Sequence, residues 1–568
     1  MSEVKFVQPR DNIELHLPDG KVISGPRGSS IETLIQVFPQ EERELVVGAV
    51  VNNELRELTY PLNMDAKASL INMDSADGAR IYRRSLTFLL EAAFEDLFPA
   101  AELTVDHSVT SGGFYCEVSG REPLNQHDIE SLKQLMRILV QTNLKFERQQ
   151  VPLQEAIKLF ESQGDEEKVK LLSYRQKEFL VLYRLGNHRD YHHGYMVPTT
   201  GYLKWFDLNL MGDGFVINYP RRINPRHTQP LPGYPKLLAT FKQYGKWLER
   251  LGIQSVGALN DAIHEDRIRE VILVSEALHE QRISEIAAQI ASQADRIRVV
   301  LISGPSSSGK TTFSKRLSVQ LMSQGVYPFP LEMDNYFVDR DLTPRDAKGD
   351  FDFESLDALN RTLLNEHLAD LIAGKKVTLP HYNFRTGMSE PGEEIQLHEG
   401  QIIILEGIHG LNPNLITRVD QSHTFRIYAS ALTQLNLDRY NRISTTDTRL
   451  LRRIVRDARE RGYSAQQTIS RWESVRAGEK NHIFPFQENA DTMFNSALAY
   501  ELSVLKPFVE PLLRQVHYGA VEYIEAKRLL AFLDWFLPVN SEMIPDNSIL
   551  REFIGGSILA DFKVWKNS

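Results

Sequence analysis

The sequence predicts an α/β protein: a parallel sheet flanked by helices in its second half, preceded by two smaller α+β regions. Three observations predict this. From residue 297 onward, β-branched runs alternate with helical runs, the pattern of parallel strands joined by crossover helices. Within that half, Gly304-Pro305-Ser306-Ser307-Ser308-Gly309-Lys310-Thr311 reads G-x-x-x-x-G-K-[ST], a phosphate-binding loop between a strand and a helix. Residues 1–76, by contrast, alternate short β-type runs with turn signals at Pro18-Asp19-Gly20 and Asn52-Asn53.

The chain has 568 residues, too many for one core, so two to four domains are expected. Hydrophobic residues make up 42% and charged residues 25%, as in globular proteins that dissolve in water. The net charge of −10 opposes a whole-chain electrostatic grip on RNA or DNA. A single cysteine, Cys116, excludes an intrachain disulfide and a Cys-rich zinc site. Met1 to Lys5 opens no signal peptide, and apolar runs such as Leu45 to Val51 are far too short to span a bilayer. A cytoplasmic protein with no membrane partner is the expectation.

Five segments follow in order. Residues 1–76 form the first α+β region. Residues 77–218 mix helices with short strands. Leu86, Leu89, Leu90, Ala93 and Phe94 recur at helical spacing within Ser85 to Phe98, and residues 126–145 and 153–183 also read as helices. Residues 219–296 begin with Pro220, Pro225, Pro230, Pro232 and Pro235, a linker, and continue as helices whose stripe of Ile283, Ile286 and Ile290 is read as core. Residues 297–515 carry the phosphate loop. Residues 516–568 hold amphipathic runs such as Leu529 to Phe536, which pack on another domain or on a second copy in a homo-oligomer.

The loop sets the chemistry. Its small residues let backbone N–H groups of Gly304, Ser306, Ser307, Ser308 and Gly309 and their neighbours close on phosphate oxygens, while Pro305 contributes shape but no N–H. Lys310 neutralises the outer phosphates, and the Thr311 hydroxyl suits Mg²⁺. Leu331 to Phe337 reads as a strand ending near Asp334, which can take a proton from an attacking hydroxyl, help hold Mg²⁺, or cap a helix. Gln401 to Gly407 is a second buried strand ending in Glu406, a metal-side carboxylate. From Thr448 to Gly462, arginines crowd one helix: Arg453 and Arg456 share a face, either a solvated charged surface or a lid over a transferring phosphoryl group.

In family order, the pieces Gly304 to Thr312, Asp334 to Phe337, Asp350 to Phe353, Pro380 to Phe384, Glu406 to Ile408 and Asp447 to Gly462 resemble the uridine kinase and phosphoribulokinase family of P-loop kinases. The resemblance implies an ATP- and Mg²⁺-dependent nucleoside kinase, most simply a uridine kinase. It implies Asp334 as general base, Asp352 and Arg453 on the ribose, and Tyr382 and Phe384 at the base. It also implies Thr311 and Glu406 on Mg²⁺, and Thr312, Arg456 and Arg461 at the triphosphate. Two positions depart from the pattern: the base-reading His is Gly387, and the last lid Arg is Tyr463. Acceptors other than uridine stay open, including another small alcohol or sugar phosphate, as does a nucleotide-sensing or RNA-binding regulator.

Residues 10–218 resemble the TGS and editing modules of threonyl-tRNA synthetase through Leu17 to Val22, Ile81 to Leu90, Gly112 to Tyr115 and Asp190 to Pro198. The positions of that module's editing residues hold Arg84, Phe88, His192 and Met196, which implies a module without editing chemistry. A module kept without its chemistry suggests binding of RNA, of a regulatory ligand or of a second subunit, although the acidic balance opposes RNA. His188 and His192, four apart, suit a metal on a helix, but with no Cys and no evident third ligand, hydrogen-bonded histidines are expected.

Overall fold

A computed structural model describes residues 8, 10–110, 112–345, 349, 351–433 and 435–562. Met1 to Lys5 and Asp350 lie outside the described residues. The first region is a five-stranded mixed sheet ordered Val22–Pro26, Asn12–His16, Ala66–Asn72, Val46–Val51, Glu54–Arg56. Alternation puts Ile13, Leu15, Ala66 and Ala68 on its buried face against Ile31 and Leu34.

The second region is built on the helix Ala76–Leu97, capped by the Ser75 hydroxyl, which accepts from Gly78 N. Two antiparallel sheets surround it. One runs Asp207–Met211, Gly214–Asn218, Gly113–Ser119, Glu102–Val109; the other runs His188–Tyr191, Phe179–Leu185, Glu147–Pro152. The helix expected over residues 153–183 is instead two helices and a strand. Leu153–Gln163 stops at Gly164, and Glu166–Ser173 restarts with Asp165 accepting from Lys168 N. Phe179–Leu185 then buries Leu180, Leu182, Tyr183 and Leu185, where β-branched and aromatic neighbours outweigh the helical count.

Three helices, Pro235–Leu251, Val256–His264 and Ile268–Ala291, connect to the second half, and Ile283, Ile286 and Ile290 are fully buried. There, five parallel strands order Pro328–Glu332, Ile402–Glu406, Val299–Ser303, Thr424–Ser430, Thr492–Asn495. Strand Val299–Ser303 lies at the centre, so the loop leaving it opens where neighbouring crossovers diverge, the usual ligand crevice of such sheets. One apolar core runs from Phe160 and Leu171 through Leu259 and Phe313 to Leu505 and Phe532. At about 1.5–3 kcal/mol per buried large side chain, it fastens the middle region to the five-stranded parallel sheet. The C-terminal run contributes Leu529, Phe532, Leu533, Trp535 and Phe536 to this same core. Polar ties reinforce it: Arg528 forks onto Asp447 (2.8 and 2.9 Å) and onto Glu525, which also accepts from Arg80 at 2.8 Å. No helix among the described residues is long and apolar enough to cross a membrane.

Candidate active site

The phosphate loop closes tightly because its backbone can approach the sheet: a Cβ at Gly304 would collide with the Ala429 carbonyl. Lys310 opens the helix Lys310–Ser323 and its Nζ donates to Pro305 O at 3.1 Å. The hydroxyls of Ser307 and Ser308 are buried without a hydrogen-bond partner. Buried orphan hydroxyls are costly alone and are what phosphate oxygens relieve, so the loop fits a nucleoside triphosphate.

Glu406 ends its strand in register with Ile302 and Glu332, and accepts from Thr311 Oγ1 at 2.9 Å. A hydroxyl and a carboxylate at hydrogen-bond distance are the hard oxygen donors Mg²⁺ takes. Burial pushes the Glu406 carboxyl up to about 7, against the pull of Lys310 and with Glu552 and Asp334 adding repulsion. Burial likewise lowers the Lys310 ammonium. Asp334 lies two residues past the end of Pro328–Glu332, in the short turn Met333–Tyr336, rather than within a strand. Its carboxyl is raised by desolvation, with Lys310 and Arg461 opposing, and it opens on the crevice.

The helix Thr445–Arg461 carries arginines of two kinds. Arg449 and Arg452 are fully buried braces. Arg449 pairs with Glu479 and donates to Ser306 O at 2.8 Å; Arg452 donates to Glu501 at 2.6 Å and to Ser496 O at 2.8 Å. Arg453, Arg456 and Arg461 face the crevice. Arg453 donates to Ser306 Oγ at 2.8 Å. Buried Asp457 gathers all three, at 3.1 Å from Arg453, 3.8 Å from Arg456 and 3.2 Å from Arg461. Asp457 is the i+4 partner of Arg453 and the i−4 partner of Arg461 on the helix. At the departing position, Tyr463 has the Arg471 guanidinium over its ring at 4.7 Å.

Across the crevice, aromatic rings form a box. Tyr382 and Phe384 meet edge-on at 5.0 Å, and Phe337 joins them at 5.5 and 6.2 Å and Phe353 at 5.8 Å. Phe384 is 61% exposed, and the Tyr382 hydroxyl is buried without a partner. Gly387, with φ +75°, turns the hairpin Val377–Asn383 to Met388–Ile395. The Arg340 guanidinium lies 2.7 Å from where a side chain at 387 would begin, and donates to Phe384 O at 2.7 Å. Asp352 accepts from Glu354 N at 3.1 Å. Burial, then repulsion from Glu479, pushes Glu354 up to about 7, with Arg453 and Lys310 opposing.

Sequence reasoning missed the C-terminal segment's part in the crevice. Glu552, on the short helix Arg551–Ile554, accepts from Thr312 N at 3.2 Å and from Thr312 Oγ1 at 2.9 Å, and lies 3.7 Å from Arg456. Lys315 donates to Leu559 O and Ala560 O at 2.7 and 2.9 Å. In the second region, Arg84 donates to Tyr195 O at 2.6 Å, and Phe88 packs on His188 and His192 at 4.7 and 5.4 Å. His188 and His192 lie on and just beyond a strand, not on a helix.

Residues 299–502 match the family model "Phosphoribulokinase / Uridine kinase family". The N-terminal half is similar to threonine–tRNA ligases. Identity is 30% over 203 residues to that of Acidithiobacillus ferrooxidans (strain ATCC 53993 / BNL-5-31), covering 36% of this chain and 31% of the relative. It is 31% over 195 residues to that of Laribacter hongkongensis (strain HLHK9), covering 34% and 31%. The chain thus spans about a third of the length (31%) of these curated relatives. A solved structure described as a possible uridine kinase from Bacillus stearothermophilus is 20% identical, covering 38% of this chain and 98% of that one, with a TM-score of 0.26. The matched segment is thus similar to the uridine kinase and phosphoribulokinase family, and the half before it is similar to threonine–tRNA ligases.

Proposed function

We propose that the chain is an ATP-dependent kinase that phosphorylates the 5′-hydroxyl of a pyrimidine nucleoside, uridine first and cytidine second. The observation that carries this reading is the convergence of Lys310, the Thr311–Glu406 pair, Asp334 and three lid arginines at the C-terminal ends of the parallel strands. The loop and Lys310 hold the triphosphate. Asp334 accepts the proton of the attacking hydroxyl, whose oxygen bonds to the γ-phosphorus as the bond to ADP breaks. Arg453, Arg456 and Arg461 offset charge on the phosphoryl group in transit. Thr311 and Glu406 would hold Mg²⁺, which when bound neutralises the outer phosphates. Asp352 and Arg453 orient the ribose, and the box of Phe337, Tyr382 and Phe384 stacks the base.

A second reading, an acceptor that already bears a phosphate, is favoured by Arg340. Its guanidinium occupies the place of the missing base-reading side chain, and such a group recognises phosphate well. A substrate panel with ATP and Mg²⁺ decides, read as ADP release. Turnover with uridine or cytidine supports the first reading; turnover with a sugar phosphate alone replaces it with the second.

The threonine–tRNA ligase-like half serves as a binding and scaffolding module without editing chemistry. Support for this comes from Arg84, which is spent on a backbone carbonyl, and from Phe88, which fills the space beside His192.

A further inference from the structure

We infer that Glu91, His188, Asp190 and His192 form a binding site for a divalent cation of the zinc class, outside the kinase crevice. Two periodicities build it. On the helix Ala76–Leu97, positions 91 and 95 stack one turn apart on the same face. On the strand His188–Tyr191, continued by one residue, positions 188, 190 and 192 alternate onto one face. The two faces meet, and the ligand atoms of Glu91, His188 and Asp190 all lie within 4.8 Å of one another.

The spacing is that of hydrogen bonds and equally that of ligands around a small ion. His188 Nε2 lies 3.3 Å from the Glu91 carboxylate, and His192 Nε2 lies 3.0 Å from it. Ligands bound about 2.0–2.2 Å from a tetrahedral zinc stand about 3.3–3.5 Å apart. The side chain of Glu91 is fully buried, with the ring nitrogens of His188 and His192 within reach of its carboxylate.

The outer groups are also those of a metal site. The other ring nitrogen of His188, Nδ1, lies 2.8 Å from the Glu95 carboxylate, the contact that fixes a ligating imidazole's tautomer and orientation. Asp190 is held by Lys168, whose Nζ lies 2.6 Å away and is itself anchored to Asp165 at 3.2 Å. Imidazoles and carboxylates together suit zinc and its first-row neighbours rather than Mg²⁺ or Ca²⁺, which prefer oxygen alone.

The test uses the tag-free full chain without nucleotide, dialysed against excess ZnCl₂ and then against metal-free buffer, with metal counted by mass spectrometry. One zinc per chain is expected in the wild type and none in His188→Gln or Glu91→Gln. Because Glu91 is buried, its variant could unfold, so Glu95→Gln gives the discriminating readout. Glu95 is half exposed and contacts the ion only through His188. Its replacement should weaken zinc about 10- to 100-fold against a chelating dye while the fold's circular dichroism is unchanged. No bound zinc in the wild type overturns the inference. So does a zinc whose affinity Glu91→Gln, His188→Gln and Glu95→Gln all leave unchanged.

Discussion

Glu91 and Glu406 are both carboxylates withdrawn from water, and the protein treats them oppositely. Burial alone would raise both. In the crevice beside the phosphate loop it prevails, and Glu406 is pushed up to about 7, because its hydrogen-bond partner is a neutral hydroxyl and Lys310 only partly compensates. In the threonine–tRNA ligase-like half, the imidazoles of His192 and His188 overcome it, and Glu91 stays well below the usual carboxylate range. The difference lies in what stands within hydrogen-bond reach. The crevice leaves its carboxylates under-compensated and its Ser307 and Ser308 hydroxyls unpartnered, which is how a site that must receive charged ligands is built. The other cluster carries its compensation in its own side chains.

The largest expected effect breaks the crevice side of this comparison. Asp334→Asn keeps the shape of the side chain but removes the proton acceptor. Turnover should fall about 10²–10⁴-fold. ATP binding by calorimetry should persist, since Lys310 and the loop are untouched. Unchanged turnover removes Asp334 from the base role and favours a nucleotide-binding protein that performs no transfer.

Next in size is Glu552→Gln. The Glu552 carboxylate occupies the Thr312 N–H, a donor that also belongs to the phosphate-binding set. A carboxylate and a phosphate compete for it, so the variant should bind ATP about tenfold more tightly, the scale of one charge-assisted hydrogen bond. Weaker ATP binding in Glu552→Gln would mean that the C-terminal segment completes the nucleotide site rather than competing for it.

These two residues also mark what the sequence makes legible. Asp334, Glu406 and the loop are readable because each lies at the end of a hydrophobic strand and near a local motif, and parallel-sheet topology brings strand ends together. Asp457 was equally local, four residues from two of the arginines it gathers, but a lone Asp in an arginine-rich helix reads as surface charge. Glu552 was not readable, because its partner Thr312 is 240 residues away and no local pattern in 516–568 points to the loop. The same holds for Glu91 and His188, 97 residues apart. Reading residues 153–183 as one helix hid the strand leading to His188, and with it the alternation that aligns 188, 190 and 192. Arg340 was missed because a glycine at 387 reads as an absence, and only packing reveals which side chain fills the space.

The smallest expected effect is a pH dependence, and it sharpens the comparison from the crevice side. Glu354 is pushed up to about 7 by burial and by Glu479, with Asp352 adding to the repulsion and Arg453 and Lys310 pulling the other way. A carboxyl whose pKa is higher in the folded chain than in the unfolded one holds its proton preferentially in the fold. Its stabilising share is complete below the ordinary Glu value near 4.5 and is lost as pH rises through about 7. The melting temperature of the nucleotide-free chain should therefore decline between pH 5 and pH 8. Glu354→Gln keeps a neutral side chain at every pH, so it should flatten that decline, and its advantage over the wild type should grow with pH. A residual slope of the same sign is expected from Glu406, which is raised in the same direction. Parallel wild-type and Glu354→Gln curves would mean that Glu354 is already ionised in the fold and compensated as fully as Glu91.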